Sequence, residues 1–400
     1  MNLLHKAKFA LAAIISTVGC QSMLSAAPLP APFDALGPQF LTFTGGVSAA
    51  YNSNVLSAPS NKLEDYIFTF NPGVRLDYGK NDEIGDTTVT YSETFLRYAK
   101  HTALNEELSN LALNYVKVQS RFTFSLAASY GQSYSNTPSS AGAGLTSIIR
   151  TDNLGASGDV HWNFSDKFNF DAALQFAQAH YLYTVGKAFQ DTDTYTIPAT
   201  AYYVYSPALS LGVGYTYQQT DPKSSTGGQG RERESHAFTL NALLTEWQKL
   251  TGSANVGLTE SRIEGSTAPA APSLTSTTVS YGVNFSYAYS PKIALTVAGN
   301  RGFSTGTQGQ NIETTSGGVG ANYSYSDTIN VQANLLNYTY SQYLQSARND
   351  DTYTSGITVN WLPYNWLTLS AGYTYFMNSS SQAGATYNIN VITLSGTIKY

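Results

Sequence analysis

The sequence predicts an all-β fold: a closed antiparallel transmembrane β-barrel of about 18 strands, with short periplasmic turns and longer extracellular loops. Three observations predict it: a two-residue rhythm of apolar and polar residues, connections of alternating length, and aromatic residues gathered near the short turns. The stretch 278–289 shows the rhythm best, because aliphatic and aromatic residues alternate there with Thr, Ser, Gly, Asn and Ala. A period of two is that of a strand with one apolar and one polar face. So many two-faced strands favour a closed barrel, with its apolar side on lipid and its polar side on a pore.

Composition supports this fold class. Charged residues make up 12% of the 400 residues, against roughly 25% in ordinary soluble domains. The chain also has 30 tyrosines and 33 glycines, as expected where lipid-facing and pore-facing positions alternate. Beyond the N-terminal segment, no stretch approaches the ~18 consecutive apolar residues of a membrane helix. The net charge of −5 gives no indication of a nucleic-acid partner.

The N-terminus has the features of a secretory signal peptide. Lys6 and Lys8 precede an apolar run at 9–18, and small residues at 25–27 offer a cleavage site. Cys20, the only cysteine, lies in this segment and resembles a lipoprotein cleavage box only weakly, so lipidation is the less favoured alternative. The predicted organisation is a signal peptide, a short periplasmic segment and the barrel, at 1–27, 28–39 and 40–400.

The strands follow from the rhythm and from the turn residues that interrupt it. Sixteen strands are an alternative to eighteen, because Leu96 and Leu336 fall out of step, as β-bulges would cause. Strands are predicted near 40–53, 64–78, 86–99, 106–117, 121–135, 150–164, 167–182, 193–206, 208–220, 234–247, 249–262, 276–290, 293–304, 311–326, 328–341, 350–362, 366–378 and 387–400.

The connections alternate between tight turns and longer polar loops. This asymmetry is typical of outer-membrane barrels, and a soluble β-sandwich, the alternative fold, does not predict it. A chain that starts and ends on the short-turn side also requires an even number of strands. The tight turns are predicted at 163–167, 206–207, 247–249, 290–292, 326–327 and 363–365, and longer loops at 136–149, 221–233, 263–275 and 341–350.

Aromatic placement gives an independent indication of the membrane boundary. All four tryptophans fall at predicted short turns, where amphipathic rings would form a periplasmic girdle at the membrane–water interface. That girdle comprises Trp162, Trp247, Trp361, Trp366 and the terminal Tyr400. An outer girdle is predicted from Tyr51, Tyr66, Tyr130, Tyr217, Tyr353 and Tyr375.

The last predicted strand alternates apolar and polar residues up to an aromatic final residue. Ile392, Leu394, Ile398 and Tyr400 lie on one phase, and polar residues lie on the other. Outer-membrane barrels typically end in such a strand, so the barrel assembly machinery is an expected partner.

The first two predicted strands carry a recognisable motif. Tyr51-Asn52-Ser53-Asn54-Val55 is followed by a segment, 65–79, that contains the pattern F-x-x-x-P-G-x-x-x-x-Y-G. This resembles the opening of the bacterial β-barrel porin 2 family, and it is also similar to outer-membrane proteins encoded with exopolysaccharide export systems. The resemblance implies an outer-membrane barrel along the whole mature chain. It implies no catalytic residues.

The inward phase of the predicted strands is mostly polar and uncharged. Charges are few on it, as expected if they avoid the ~2–4 kcal/mol cost of facing lipid near the midplane. They are Arg75, Asp77, Asp159, Asp171 and Arg97, and their balance predicts a weak preference for cations. The other residues predicted to line the lumen are His161, Asn284, Asn330, Gln332 and Asn334.

Catalytic chemistry is the least favoured interpretation. Asp159 and His161 share a strand face, so a carboxylate–imidazole pair is geometrically possible. His161 lies near the periplasmic turn, however, and no G-x-S-x-G, H-E-x-x-H, phosphate-loop or Cys/His metal pattern occurs. No catalytic, cofactor-binding or metal-binding residue is therefore predicted. The favoured interpretation is that His161 forms hydrogen bonds within a polar lumen.

Two loop segments have alternative interpretations. The third loop, 136–149, either folds inward to narrow the pore or lies loose on the surface. The alternating charges at 231–234 indicate solvated surface or contact with lipopolysaccharide. Expected partners are outer-membrane lipid, lipopolysaccharide and small hydrophilic solutes, and the oligomeric state is left open.

These features predict an outer-membrane, porin-like channel for passive diffusion of small hydrophilic solutes. The main alternative is a structural or secretion-associated barrel linked to exopolysaccharide export. A surface enzyme is the third function considered.

Overall fold

The structure is a computed structural model that describes residues 40–79, 85–135, 149–182, 190–223, 231–264, 266–267, 270–271, 273–306, 310–344 and 346–400. The predicted signal peptide, Cys20, the segment 28–39 and nearly all of the loop 136–149 lie outside these residues. The chain divides into 1–42 and 43–400. Of the first unit, the structure describes only the start of the first strand, and the second unit contains the barrel.

The barrel is one antiparallel sheet of 18 strands, so the fold class and strand number are confirmed. β-branched, aliphatic and aromatic residues recur at alternate positions along most of the strands, as strand propensity favours. The strands are β1 (Leu41–Asn52), β2 (Asp65–Tyr78), β3 (Asp86–Tyr98), β4 (Glu106–Val118), β5 (Phe122–Ser135), β6 (Ile149–Ser165), β7 (Phe168–Leu182), β8 (Asp191–Ser206), β9 (Leu209–Lys223), β10 (Arg233–Trp247), β11 (Leu250–Ile263), β12 (Leu274–Ser290), β13 (Ile293–Thr305), β14 (Asn311–Ser324), β15 (Ile329–Tyr343), β16 (Asn349–Tyr364), β17 (Leu367–Ser380) and β18 (Tyr387–Lys399).

The sheet closes where its last strand meets its first. β18 pairs with β1 in an unbroken antiparallel register that runs from Thr44 opposite Lys399 to Asn52 opposite Val391. Closure leaves no free strand edge, so every strand has a neighbour on both sides.

The outer face is apolar and uncovered by protein. Val213, Phe238 and Leu240 are 61–64% exposed and belong to a continuous apolar surface on successive strands. A soluble protein does not present apolar surface of this extent to water. Lipid is therefore the medium that suits the outside of this barrel.

Connection lengths alternate as the sequence predicts. The tight turns at 166–167, 207–208, 248–249, 291–292 and 365–366 lie at one end of the barrel, and the long loops lie at the other. Following the convention for outer-membrane barrels, these are called here the periplasmic and extracellular ends. The periplasmic connection 79–85 is longer than its counterparts. A two-stranded ribbon pairs Ser266–Thr267 with Ala270–Ala271 in an extracellular loop.

The two predicted phase breaks have different outcomes. A register shift in β15 between Asn334 and Asn337 confirms the bulge expected at Leu336. The bulge expected at Leu96 is wrong, because β3 pairs with β2 and β4 there without a shift. Leu96 instead lies on the lumen side, two residues from the buried Tyr98. An apolar residue suits this position because the next inward residue of β3, Tyr98, is buried.

Among the residues that the structure describes, no helix is long enough and apolar enough to span a membrane.

Candidate functional site: the lumen wall and the extracellular mouth

The lumen wall is lined mainly by amides and hydroxyls. Cross-strand neighbours share a face of the sheet, and the predicted lining residues lie on the face opposite the exposed apolar side chains. Asn330 Nδ2 donates to Asn322 Oδ1 at 2.6 Å, and Ser370 Oγ donates to Asn360 Oδ1 at 2.7 Å. These bonds run between neighbouring strands, so they leave an uncharged polar surface. The residues placed on this face include Asn284, Asn330, Gln332 and Asn334.

The predicted charges at Arg75 and Asp77 neutralise each other. Arg75 Nε and Nη2 donate to the Asp77 carboxylate at 2.7 and 2.8 Å, and Thr88 Oγ1 donates to the same carboxylate at 2.8 Å. A bidentate pair of this kind fixes both side chains on the wall. It therefore adds little net field to the lumen.

His161 is paired with Asp171 rather than with Asp159, the carboxylate that its strand spacing made geometrically possible. Asp171 lies on β7 directly opposite His161 and contacts its Nδ1, and Asn163 Oδ1 lies 3.1 Å from its Nε2. Asp159 instead accepts a hydrogen bond from Ser157 Oγ at 3.1 Å. Both ring nitrogens of His161 thus have partners, and neither partner is a serine, threonine or cysteine.

Arg97 lies on the outer face, which corrects its predicted place in the lumen. It is opposite Phe68, one of the exposed outward rings. Its guanidinium lies 5.8 Å from the Phe95 ring centre and donates to Glu107 at 2.5 Å. The extracellular strand end lets this cation stay at the membrane surface, which is why the outer position is tolerated.

The aromatic residues predicted as a periplasmic girdle lie at the ends of strands joined by short turns. Trp162 stacks on Phe122 with ring centres 5.6 Å apart, and Trp366 stacks on Tyr364 at 5.4 Å. Trp247, Trp361 and Tyr400 are exposed at the same end. Their role at a membrane interface stays a prediction.

The most deeply buried side chains of the described residues lie at the extracellular end of the barrel. Every buried apolar side chain among the described residues lies in an extracellular loop or at the strand end beside one. The rest of the lumen face is only partly covered. The buried apolar residues are Val55, Ala58, Tyr98, Leu108, Ile149, Ile263, Ile312, Tyr343, Ala385 and Tyr387.

One cause of this burial is an overlap between β12 and β13, called here the β12–β13 seam. Pairing of these strands stops at Tyr281 and Arg301, although β12 and β13 both extend further. Beyond that point, Asn311 at the start of β14 reaches Ser261 of β11, with Nδ2 to Oγ at 3.4 Å. Glu313 of β14 accepts from Thr278 Oγ1 of β12 at 2.8 Å. The β13–β14 edge therefore passes inside β11 and β12.

A second overlap forms the β4–β5 seam. Pairing stops at Asn110 and Gly131, and Arg150 of β6 reaches past β5 to Glu106 of β4, with Nη1 to Oε2 at 3.1 Å. A polar cavity of about 310 Å³ lies at this seam. Its lining is Thr90, Ser92, Asn110, Leu111, Ala112, Ser129, Tyr130, Gly131 and Asn153. At both seams, the extracellular end of one strand pair thus lies inside its neighbour.

A buried ion pair occupies the mouth beside the last strands. Arg348 donates to Asp350 through Nε at 3.0 Å and Nη2 at 2.6 Å, and its guanidinium lies 4.5 Å from the Tyr343 ring centre. Ser380 Oγ and the Tyr343 hydroxyl donate to the same carboxylate at 2.5 and 3.3 Å. Because the charges are paired and hydrogen-bonded, this cluster fixes β15, β16 and β17 together.

An exposed ion pair links two extracellular loops at the rim. Lys100 Nζ donates to Glu64 Oε1 at 3.0 Å, and the Tyr51 hydroxyl donates to Glu64 Oε2 at 2.8 Å. The Tyr51 hydrogen bond and the Lys100 ammonium lower the pKa of Glu64, and the Glu64 carboxylate raises the pKa of Lys100. The contact is thus strongest at neutral pH and weakens as acid protonates Glu64.

The sequence interpretation missed the residues that meet at the mouth. Arg233 was expected on solvated surface or against lipopolysaccharide, yet it is 5% exposed and faces inward. The signal was available, because Arg233 is in phase with the inward Ser235, Thr239 and Asn241. Arg348 and Asp350 were assigned to a loop, which hid their place on the lumen side.

The fold is that of known outer-membrane proteins. The FrpB iron transporter from Neisseria meningitidis matches with a TM-score of 0.50 and 7% identity, over 92% of this chain and 82% of its own. The outer membrane protein OpdK from Pseudomonas aeruginosa has a TM-score of 0.49 and 11% identity, over 90% of this chain and 99% of its own. BauA, the ferric preacinetobactin receptor from Acinetobacter baumannii, has a TM-score of 0.49 and 9% identity, over 90% of this chain and 80% of its own. At these identities the likeness concerns fold alone.

Neither a protein-family model nor a curated protein sequence matches this chain. The resemblance of its opening motif to the β-barrel porin 2 family therefore stays a prediction. Within the described ranges, no group of three or more His, Cys, Asp or Glu side chains is arranged to hold a metal ion.

Proposed function

We propose that this protein is an outer-membrane channel through which small hydrophilic solutes diffuse passively. The observation that supports the proposal is the two-sided wall: exposed apolar and aromatic side chains outside, amides and hydroxyls inside. Lipid satisfies the outer face, and a water-filled lumen satisfies the inner one. A hydrated solute can exchange hydrogen bonds with water for hydrogen bonds with such a wall at little cost.

Selection among solutes would depend first on the width of the mouth. The overlaps at the two seams and the Arg348–Asp350 cluster fill space at the extracellular end, whereas the periplasmic half has no comparable burial among the described residues. We therefore expect small solutes to pass and larger ones to be retained at the mouth.

The export of a polysaccharide is a weaker candidate. A sugar polymer needs an open passage and usually a series of aromatic rings on which to stack. Here large aromatic side chains lie mainly outside, and the inward stack of Phe376 on Tyr387, with ring centres 5.7 Å apart, is confined to the mouth. Hydrolysis is weaker still, since the side chains that contact His161 are Asp171 and Asn163, and neither carries the hydroxyl or thiol of a Ser–His or Cys–His pair.

Liposome swelling tests the proposal. Purified barrel reconstituted into liposomes should admit arabinose, glucose and sucrose at rates that fall with solute size, and protein-free liposomes should not swell. A barrel that admits none of the three sugars would contradict passive diffusion. A second assay of ester and peptide hydrolysis, with His161→Asn as control, addresses the enzyme alternative.

A further inference from the structure

Arg233 is a buried cation for which the described residues supply no carboxylate partner. Its side chain is 5% exposed at the start of β10. Nη2 donates to Gln218 Oε1 at 2.7 Å and Nη1 donates to Asn311 Oδ1 at 3.3 Å, while Nε has no hydrogen-bond partner among the described residues. An arginine that is removed from water normally has an anionic partner, because an unpaired buried charge is costly.

The surroundings of Arg233 supply no negative charge. Its direct neighbours on β9 and β11 are Thr220 and Ile263, and the next inward residue of its own strand is Ser235. From β14, Asn311 faces it, and Asn311 also donates to Ser261. The described residues packed against the guanidinium are thus neutral, and those with polar side chains carry hydroxyls or amides.

The acidic residues nearby are directed elsewhere. Glu232 accepts from the Gln219 side chain, and Glu234 lies on the opposite face of the strand. Glu313, on the overlapping β14, is paired with Arg301, whose Nε donates to it at 2.7 Å. The contrast with Arg348, which has Asp350, shows that this mouth contains both a paired and an unpaired buried arginine.

We infer that Arg233, with Gln218, Ser261 and Asn311, forms a binding site for an anionic oxygen group, a carboxylate or a phosphate, carried by a solute at the extracellular mouth. The planar guanidinium presents donors that match either group. The neighbouring hydroxyls and amides can supply further hydrogen bonds. The inference rests on the proposed channel function and deepens it, because Arg233 lies on the inward face of β10 at its extracellular end.

Equilibrium binding tests the site independently of transport. Detergent-solubilised barrel is titrated by calorimetry with sodium phosphate and with sodium acetate at constant ionic strength. The wild type should bind at least one of them, and Arg233→Gln should weaken that binding about tenfold or more, as expected for loss of a charged hydrogen bond. The stronger of the two probes identifies the class of anion.

Arg231→Gln is the matched control, because it removes the same charge from the same strand end, where Arg231 Nε already donates to the Glu264 carbonyl. It should bind like the wild type. Arg233→Lys keeps the charge without the planar donors and should bind with intermediate strength. No binding by the wild type, or equal losses in Arg231→Gln and Arg233→Gln, would overturn the inference.

Solute flux separates this inference from the proposed function. Gluconate and glucose have similar size but differ by a carboxylate, so Arg233→Gln should change the swelling rate for gluconate and leave glucose unaffected. If neither solute enters wild-type liposomes, the channel proposal fails, and the titration still decides the anion site. If both rates respond equally to Arg233→Gln, the site does not recognise the carboxylate.

Discussion

At the scale of single residues, the mouth contrasts two buried arginines. Arg348 is 8% exposed, yet Asp350 and the Tyr343 ring surround its guanidinium. Arg233 is buried to a similar degree among neutral groups. Removing one member of a buried pair leaves the other uncompensated, whereas removing an unpaired charge leaves no such defect. The two positions should therefore respond differently to loss of charge.

Arg348→Gln should destabilise the barrel by about 3–5 kcal/mol, because it leaves Asp350 buried without its cation. Arg233→Gln should lower the free energy of unfolding much less, since no carboxylate of the described residues loses a partner. Urea unfolding of the reconstituted protein, followed by tryptophan fluorescence, measures both.

The double variant Arg348→Gln with Asp350→Asn is the control for this pair. It removes both charges together and should recover much of the lost stability. Equal unfolding midpoints for Arg348→Gln and the wild type would show that the pair does not hold the mouth together.

At the scale of strands, the sequence predicts the elements well and their extracellular ends poorly. The period of two is a local property, so β7 and β12 follow from their own residues. The seams depend instead on contacts between distant segments, such as Arg233 with Asn311, 78 residues apart. Where a strand passes inside its neighbours, its outer face is covered by protein instead of lipid. A polar residue such as Asn311 can then occupy the outward phase, so the apolar–polar rhythm no longer indicates which face meets lipid. Leu96 likewise faces inward beside the buried Tyr98, a position that its own strand rhythm does not indicate.

A cross-link tests the overlap at the β12–β13 seam. In a Cys20→Ser background, cysteines at Ser261 and Asn311 should join on oxidation or with a short bifunctional thiol reagent, because Asn311 Nδ2 lies 3.4 Å from Ser261 Oγ. The cross-link closes the segment between positions 261 and 311 into a loop, so the denatured protein should migrate differently on a gel. Reduction of the disulfide should restore the original mobility.

The matched pair places one cysteine at Glu260, next to Ser261 but on the outer phase of β11, and the other again at Asn311. This pair should not join. Cross-linking of the Glu260 pair, or none with the Ser261 pair, would mean that β14 does not pass inside β11.

At the scale of the whole molecule, the distribution of burial is the reverse of that in a soluble protein. Apolar side chains cover the outside, polar ones line most of the inside, and the buried side chains of the described residues lie towards the extracellular end. This arrangement needs two solvents, lipid around the wall and water within it. Composition and strand rhythm predict that division directly. The overlap of strands at the extracellular mouth is a tertiary feature, and the anionic ligand proposed for it rests on Arg233.

Cysteine scanning along β12 tests the division of lipid from water most directly. In the Cys20→Ser background, single cysteines at Val283, Asn284, Phe285 and Ser286 are exposed to a membrane-impermeant thiol reagent with the barrel in liposomes. We expect labelling at Asn284 and Ser286, which face the lumen. We expect protection at Val283 and Phe285, which face lipid. Uniform labelling, or the opposite alternation, would contradict a water-filled barrel embedded in a bilayer.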